Sequence, residues 1–382
     1  MNATTPVPPT PLPAGERPIK EQVVLVLQGG GALGAYQAGV YEGLVEGGIE
    51  PDWVIGTSIG AINGALIAGN EPANRVARLR QFWEGVGRNG PLDQLWPSTV
   101  FGNGLANLST IASGIPGFFT PNPQAIWGAN ARLGVEKASY YTTDPLRETL
   151  GRLVDFDYMA ARRVRLSVGA VNVRTSEMRY FDSNSMPLSA SHVMASGALP
   201  PAFPAVAIDG EAYWDGGIYS NTPIEVVLED VPRRNSVIFS VNVWQPAGNH
   251  PETIQQVMAR QKDIQFASRD RSHVARQAQI HRLRHVVREL ARRLPPELLD
   301  DPVVQDMVEY GCGTLMHLVR FLAPGLDGED HTKDIDFTRA GIERRWNAGY
   351  EHARTALARK PWQQEADLLA GIVIHEAAPA ES

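Results

Sequence analysis

The sequence predicts an α/β protein with a largely parallel sheet flanked by helices. Strand-like apolar runs alternate with helical patterns over the first two thirds of the chain, an order typical of parallel strands joined by helices. The chain has 382 residues, 43% of them hydrophobic, which is enough for one large core or two domains. The predicted strands are residues 22–28, 53–55, 164–173, 178–181, 211–214 and 236–243, and the predicted helices are residues 35–46, 59–68, 73–86 and 144–153.

The first strand leads into a glycine-rich loop. The segment VVLVLQGGGALGAYQAG opens with a continuous apolar run, and Gly29, Gly31 and Gly34 then fit the G-x-G-x-x-G pattern of dinucleotide-binding loops. Glu50 and Asp52 lie near the acidic position that this pattern expects. The loop alone therefore leaves two interpretations open, a cradle for a pyrophosphate or a set of backbone N–H groups that bind another anion.

The second strand leads into a G-x-S-x-G motif. Residues 56–60 read GTSIG, with Ser58 at the centre and an apolar helix directly after it. In this motif the serine lies on a sharp strand-to-helix turn, and the outer glycines avoid side-chain clashes. The helix N-terminus also directs backbone N–H groups toward the serine. Because Asp52 precedes this strand instead of ending it, an oxyanion loop at residues 29–31 fits better than a dinucleotide site.

A third glycine motif follows a short strand further along the chain. The segment YWDGGIYSNTPI places Asp215 at the end of that strand, directly before Gly216 and Gly217. Active sites of open α/β sheets collect at strand ends, so Asp215 is a candidate site residue, although Asp-Gly-Gly is also a common tight turn. None of the nine histidines lies in such a context, and each is expected to be a surface or packing residue.

In this order the three motifs resemble those of the patatin-like phospholipase family. Residues 191–206, SHVMASGALPPAFPAV, are similar to the Ala-Ser-x-Ala-x-Pro-x-x-Phe stretch that precedes the family's aspartate, and the resemblance covers about residues 21–244. It implies the fold shared by patatin and malonyl-CoA transacylase, with Ser58 as nucleophile, Asp215 as general base and no catalytic histidine. The residues that match the family's glycine motifs are Gly29, Gly30, Gly31 and Gly34 in the oxyanion loop, and Gly56, Gly60, Gly216 and Gly217 as supporting positions.

The resemblance draws attention to three further features of the site. A carboxylate base needs a pKa raised by apolar burial, and Tyr213 and Trp214 are the expected walls around Asp215. Leu33 stands where many family members have Arg or Lys, which removes a cation that could meet a phosphate or carboxylate. Thr57 precedes the serine, whereas the malonyl transacylase has histidine at that position.

The function that this resemblance implies is a serine lipid acyl hydrolase of the phospholipase A or lysophospholipase type. Its substrate would be a lipid or another acyl ester. The alternatives on the same fold are an acyltransferase, a thioesterase or a hydroxyalkanoate polyester depolymerase. A lipid-binding protein without turnover is a further alternative from a different class.

The remaining segments suggest how the chain is divided. Residues 1–20 contain six prolines and no apolar signal-peptide core, which predicts a disordered lead-in before a catalytic domain at 21–245. Residues 94–131 carry no charge and predict either a lid-like insertion, whose apolar residues could line an acyl groove, or an ordinary packed insertion. A mainly helical C-terminal extension is expected at 250–365 and a tail at 366–382. The candidate groove residues are Phe101, Leu105, Ile111, Ile115, Phe118, Phe119 and Trp127.

Charge and cysteine content limit the partners. The net charge of −7 argues against a dedicated nucleic-acid binder, yet residues 260–293 hold ten Lys and Arg against three acids. This basic segment has apolar residues at helical spacing and could touch an anionic membrane or a lipid granule, or simply pack on its own domain. Cys312 is the only cysteine, as is typical of a reducing, cytoplasmic compartment. No acidic cluster has the spacing of a metal site, and we expect neither a metal nor a cofactor.

Overall fold

A sheet of nine strands with helices on both faces forms the centre of the described protein. The structure is a computed structural model that describes residues 17–87, 113–161, 163–326, 329–367 and 369–377. Its strands are β1 (Gln22–Leu27), β2 (Trp53–Gly56), β3 (Thr120–Pro121), β4 (Tyr141–Thr142), β5 (Arg165–Asn172), β6 (Met178–Asp182), β7 (Val206–Ile208), β8 (Glu211–Asp215), β9 (Ser236–Asn242), β10 (Met316–Leu322) and β11 (Ile372–Ala377). Its helices are α1 (Ala35–Glu46), α2 (Ile59–Ala68), α3 (Pro72–Val86), α4 (Asp144–Leu153), α5 (Phe156–Ala160), α6 (Ala190–Ser196), α7 (Glu225–Leu228), α8 (Ile254–Ala291), α9 (Pro296–Leu299), α10 (Pro302–Glu309) and α11 (Arg339–Arg359).

The sheet is mixed, with a parallel centre. Its order is β11-β10-β9-β1-β2-β5-β8-β7, and β6 also pairs with β5. Neighbours from β11 to β5 run parallel, as the sequence predicted for β1, β2, β5 and β9. The pairs β5–β6, β5–β8 and β7–β8 are antiparallel. Strands β3 and β4 form a separate two-stranded sheet.

Strand β1 shows why its sequence is apolar without interruption. Val23, Leu25 and Leu27 face one hydrophobic cluster, which includes residues of α1, α2, α3 and α11. Val24 and Val26 face a second cluster, which includes residues of α7 and α8. Alternate side chains of a strand point to opposite faces, so a strand covered on both faces is apolar at every position.

The predicted helices α1, α2 and α4 are confirmed with the predicted ends. The uncharged segment from Trp53 to Asn70 consists of strand β2 and helix α2, both buried in the core. Within the described ranges, every helix is too short or too polar to cross a lipid bilayer. Residues 1–16 and 94–112, which belong to the expected lead-in and insertion, lie outside the described residues.

The C-terminal third is mainly helical, as expected, but it also adds two strands to the central sheet. Strand β10 pairs with β9, and β11 pairs with β10. Helix α11 packs closely on α1: a Cβ at Gly39 would lie 1.9 Å from the Trp346 carbonyl oxygen, and one at Gly349 would lie 2.1 Å from that of Tyr36. The C-terminal third therefore shares its core with the first 245 residues.

Candidate active site

The glycine-rich loop follows the carboxyl end of β1. Its Gly29 N–H donates to the backbone oxygen of Asn221 at 3.1 Å, so this group is already paired. The N–H groups of Gly30 and Gly31 have no acceptor among the described residues. Two adjacent unpaired donors beside a cavity can stabilise an oxyanion.

The glycines of this loop are required by close packing. Gly31 has a φ of +55°, and a Cβ there would lie 2.3 Å from the Asp334 carbonyl oxygen. A Cβ at Gly34 would lie 2.5 Å from the Ile59 side chain, which places Gly34 in the packing behind the loop. The glycines that fit the dinucleotide-binding pattern thus allow the loop backbone to approach the segments that contain Asp334 and Ile59.

Ser58 lies on the sharp turn between β2 and α2. Its φ of 56° and ψ of −123° are unfavourable for a residue with a side chain. A Cβ at Gly56 would lie 2.3 Å from the Gly60 carbonyl oxygen, and one at Gly60 would lie 2.3 Å from that of Leu27. The turn therefore requires both glycines, as the G-x-S-x-G motif predicted.

Asp215 ends β8 and is almost fully buried. Gly217 donates its N–H to Asp215 Oδ1 at 2.7 Å, and a Cβ at Gly216 would lie 2.4 Å from the Gly169 carbonyl oxygen. Burial raises the pKa of the Asp215 carboxyl from its usual 3.8 to about 7, although hydrogen bonding from Gly217 and from the Ser58 hydroxyl lowers it. A carboxylate with a pKa near neutrality is suited to accept a proton from a serine.

One cavity of about 200 Å³ brings these groups together. It is lined by Ser58, Asp215 and the loop at residues 29–31, with Asp334 as the other charged residue among the described lining. Tyr213 and Trp214, the expected walls around Asp215, are not among the described residues that line this cavity. The apolar walls of the cavity come from distant segments, and the aromatic residues among them are Phe118, Phe119, Tyr141, Phe203, Trp244, Phe266 and Phe337.

The expected lid contributes part of this wall. Phe118 and Phe119 line the cavity, and Ile115 is buried next to them. Trp127 is 75% exposed and does not line the cavity. Phe101, Leu105 and Ile111, which were also candidates for the groove, lie outside the described residues.

The other sequence candidates lie away from the cavity. Glu50 pairs with Arg75 at 2.6 Å and Asp52 with Arg17 at 2.9 Å, so neither acid faces the glycine loop. No histidine is among the described residues that line the cavity. Within the same ranges, no cluster of three His, Cys, Asp or Glu side chains is arranged to hold a metal ion.

Asn221, Trp244 and Asp334 are among the lining residues that the sequence did not single out. Asn221 follows the Asp-Gly-Gly motif by four positions, and that proximity was a usable signal. Trp244 lies just beyond β9, the strand beside β1, which was a weaker signal. Asp334 comes from the C-terminal third, and nothing in its sequence context connected it with Ser58.

Comparison with known proteins finds a family match in the first part of the chain and another in the C-terminal third. The profile of a family described as patatin-like phospholipase matches residues 25–228, and one described as patatin phospholipase matches residues 264–368. Lysophospholipase nte1 of Aspergillus terreus is 42% identical over 88 residues, which are 22% of this chain and 6% of that protein. Lysophospholipase NTE1 of Eremothecium gossypii is 28% identical over 232 residues, 58% of this chain and 12% of that protein. The matches thus span no more than 12% of the length of these relatives.

Among solved structures, VipD from Legionella pneumophila is similar with a TM-score of 0.38 and 14% sequence identity. That similarity covers 89% of this chain and 67% of VipD.

Proposed function

Because this chain belongs to the patatin-like phospholipase family, with the fold that its motifs predicted, we propose that it is a serine lipid acyl hydrolase. The observation that carries the proposal is the convergence of Ser58, Asp215 and the loop at residues 29–31 on one apolar cavity. The cavity walls offer aromatic surface to an acyl chain. The only charged groups among its described lining residues are two carboxyls, Asp215 and Asp334.

The reaction begins with proton transfer from the Ser58 hydroxyl to Asp215. Ser58 Oγ attacks the acyl carbonyl carbon, and the carbonyl electron pair moves to oxygen as an oxyanion. The N–H groups of Gly30 and Gly31 donate to that oxyanion. Asp215 returns the proton to the leaving alcohol as the ester bond breaks, which leaves an acyl-enzyme on Ser58.

The second half of the reaction releases the acid. Asp215 accepts a proton from a water molecule, whose oxygen attacks the acyl carbonyl carbon. The tetrahedral intermediate then expels Ser58 Oγ, and Asp215 returns the proton to it. An alcohol or thiol in place of water gives acyl transfer by the same steps, and analysis of the products distinguishes hydrolysis from transfer.

Reaction with a fluorophosphonate probe tests the nucleophile. Phosphonylation at Ser58, found by peptide mass spectrometry, is expected because the dyad activates this hydroxyl. Ser58→Ala should abolish labelling and hydrolysis of lysophospholipids and short acyl esters. Ser185→Ala, at an exposed serine, is the matched control and should retain both. Full esterase activity in Ser58→Ala would disprove the proposal, and absence of turnover in labelled wild-type protein would favour a lipid-binding function.

Helix α8 supports contact of this enzyme with an anionic lipid surface. Its buried face carries Val274, Gln277, His281 and His285. The apolar residues predicted at helical spacing divide into two groups: Ile280, Val287 and Leu294 are half-buried, whereas Leu283 and Leu290 are 59% and 57% exposed. Exposed Arg276 precedes them at the same seven-residue spacing, so the three share one face of the helix. Exposed leucines beside cations fit the interface of an anionic bilayer.

Flotation with liposomes tests this surface. Binding to vesicles with anionic lipid should exceed binding to neutral vesicles, and the double variant Leu283→Gln/Leu290→Gln should reduce it. Ile126→Gln is the control, since Ile126 is 87% exposed in another part of the chain. Equal flotation of all variants, or indifference to lipid charge, would show that α8 only packs on its own protein.

A further inference from the structure

The carbonyl group of Gly29 is held by two side chains from different parts of the chain. Trp244 Nε1–H donates to Gly29 O at 2.7 Å, and Asn221 Nδ2–H donates to the same oxygen at 3.1 Å. Trp244 is 2% exposed, its backbone N–H donates to Gln28 Oε1, and its ring packs on Phe266 with centroids 4.9 Å apart. The bond from Trp244 is therefore buried and rigidly placed.

Fixing this carbonyl also fixes the adjacent N–H. Gly29 C=O and Gly30 N–H belong to one trans peptide unit, in which the two groups point in opposite directions. Glycine would otherwise let this peptide plane rotate, because it has no side chain to restrict φ and ψ. With the carbonyl bonded to Trp244 and Asn221, the Gly30 N–H faces away from them.

Asn221 additionally connects this loop with the turn after Asp215. Its backbone oxygen accepts the Gly29 N–H at 3.1 Å. A Cβ at Gly29 would lie 2.3 Å from Asn221 Oδ1, and a Cβ at Gly217 would lie 2.7 Å from the same atom. Asn221 thus fills the space between the oxyanion loop and the turn that donates to Asp215.

We propose that Trp244 and Asn221 are positioning residues that hold the Gly29–Gly30 peptide with its N–H aimed at the developing oxyanion. This inference rests on the proposed serine hydrolase function. It assigns a role in acyl transfer to two residues that belong to none of the three glycine motifs. Such preorganised donors matter most in the transition state, since they need no reorientation as charge develops.

Trp244→Phe is the sharpest test, because it removes the N–H and keeps an aromatic ring. Trp53→Phe is the matched control, since Trp53 is buried and donates to Ser167 Oγ at 2.8 Å. Trp244→Phe should lower kcat for a short acyl ester by about 10- to 100-fold, with KM nearly unchanged. Trp53→Phe should leave kcat within about twofold of the wild type.

A trifluoromethyl ketone separates positioning from cavity shape. Ser58 Oγ adds to the ketone carbon, its proton goes to Asp215, and the carbonyl oxygen becomes an oxyanion at the loop. Trp244→Phe should weaken ketone binding by the same factor as kcat, while binding of the corresponding secondary alcohol is unchanged. The inference would be overturned if Trp244→Phe lost equal affinity for the ketone and the alcohol, or if its kcat equalled that of Trp53→Phe.

Asn221→Ala provides an independent variant if Trp244→Phe does not fold. It should give the same pattern, with lower kcat, weaker ketone binding and unchanged alcohol binding. Fluorophosphonate labelling of wild-type Ser58 separates the two levels of the argument. If the wild type is labelled and turns over substrate, while Trp244→Phe and Asn221→Ala keep wild-type kcat and ketone binding, only this inference is overturned. Absence of both labelling and turnover in folded wild-type protein would overturn the proposed function, and this inference with it.

Discussion

Asp215 should make the protein less stable as the pH rises, and Asp215→Asn should remove that effect. The folded-state pKa of this carboxyl is about 7, against a usual value of 3.8, because the group is buried. Between these two values the unfolded chain has lost the proton while the folded chain keeps it, so the free energy of unfolding falls with increasing pH. Below 3.8 both states are protonated and above about 7 both are ionised, so the dependence is confined to this window.

The size of the effect follows from the shift. About three pKa units at 1.36 kcal/mol each amount to about 4 kcal/mol, which the ionised carboxylate costs the folded state above pH 7. Asparagine is neutral at every pH and can still accept the Gly217 N–H. The difference in unfolding free energy, Asp215→Asn minus wild type, should therefore rise by about 4 kcal/mol between pH 4 and pH 8.

Urea unfolding at several pH values, followed by tryptophan fluorescence, measures this difference. Any constant offset caused by the amide drops out, because only the change with pH is diagnostic. Asp209→Asn is the control: Asp209 is 70% exposed and has a positive φ that asparagine adopts readily. A difference that stays flat from pH 4 to pH 8, or that falls, would refute the argument that burial dominates at Asp215.

The same carboxyl predicts the pH dependence of catalysis. A general base acts when it is deprotonated, so kcat/KM of the wild type should rise with pH and level off above a midpoint near 7. Asp215→Asn should abolish turnover in spite of its greater stability at alkaline pH. Loss of activity together with a gain in stability is expected where a residue needed for catalysis is unfavourable for the stability of the fold.

Three further changes test the surroundings of the site. Gly31→Ala should destabilise the fold by about 1–3 kcal/mol and lower kcat, because its φ is positive and the Asp334 carbonyl leaves no room for a Cβ. Urea unfolding measures the loss of stability, and an esterase assay measures kcat. Phe119→Leu should shift substrate preference toward bulkier acyl chains in an ester series. Its loss of unfolding free energy should be smaller than the about 3–5 kcal/mol that Phe→Ala costs. An unchanged preference across the series would contradict a role of Phe119 in the wall that contacts the acyl chain. Arg345→Met should cost about 3–5 kcal/mol of unfolding free energy, because it leaves the buried Asp336 carboxylate without its cation; a loss below 1 kcal/mol would contradict this.

Much of the central architecture was readable from local pattern. Strand β1 and the buried pair β2–α2 were predicted because parallel strands and buried helices are apolar throughout, and no charge interrupts them. Strands β10 and β11 were missed. Their sequences MHLVRFL and IVIHEA contain charged residues and histidines, and these are accommodated by partners that only the sheet supplies: His317 bonds His375, and Arg320 pairs with Glu376.

The sequence by itself determined the candidate reactive groups and the backbone turns that carry them. The glycines around Ser58 and Asp215 are required by the close packing of their turns, so these turns could be predicted from the motif spacing. The roles of the two side chains were expected from the resemblance to a family. Only the tertiary structure decided what surrounds them. The residues around the site come from segments far apart in the chain. They are the aromatic rings that wall the cavity, Trp244 and Asn221 on the Gly29 carbonyl, and Asp334 beside Gly31. Such contacts depend on how strands and helices are placed against one another, which no local sequence pattern encodes.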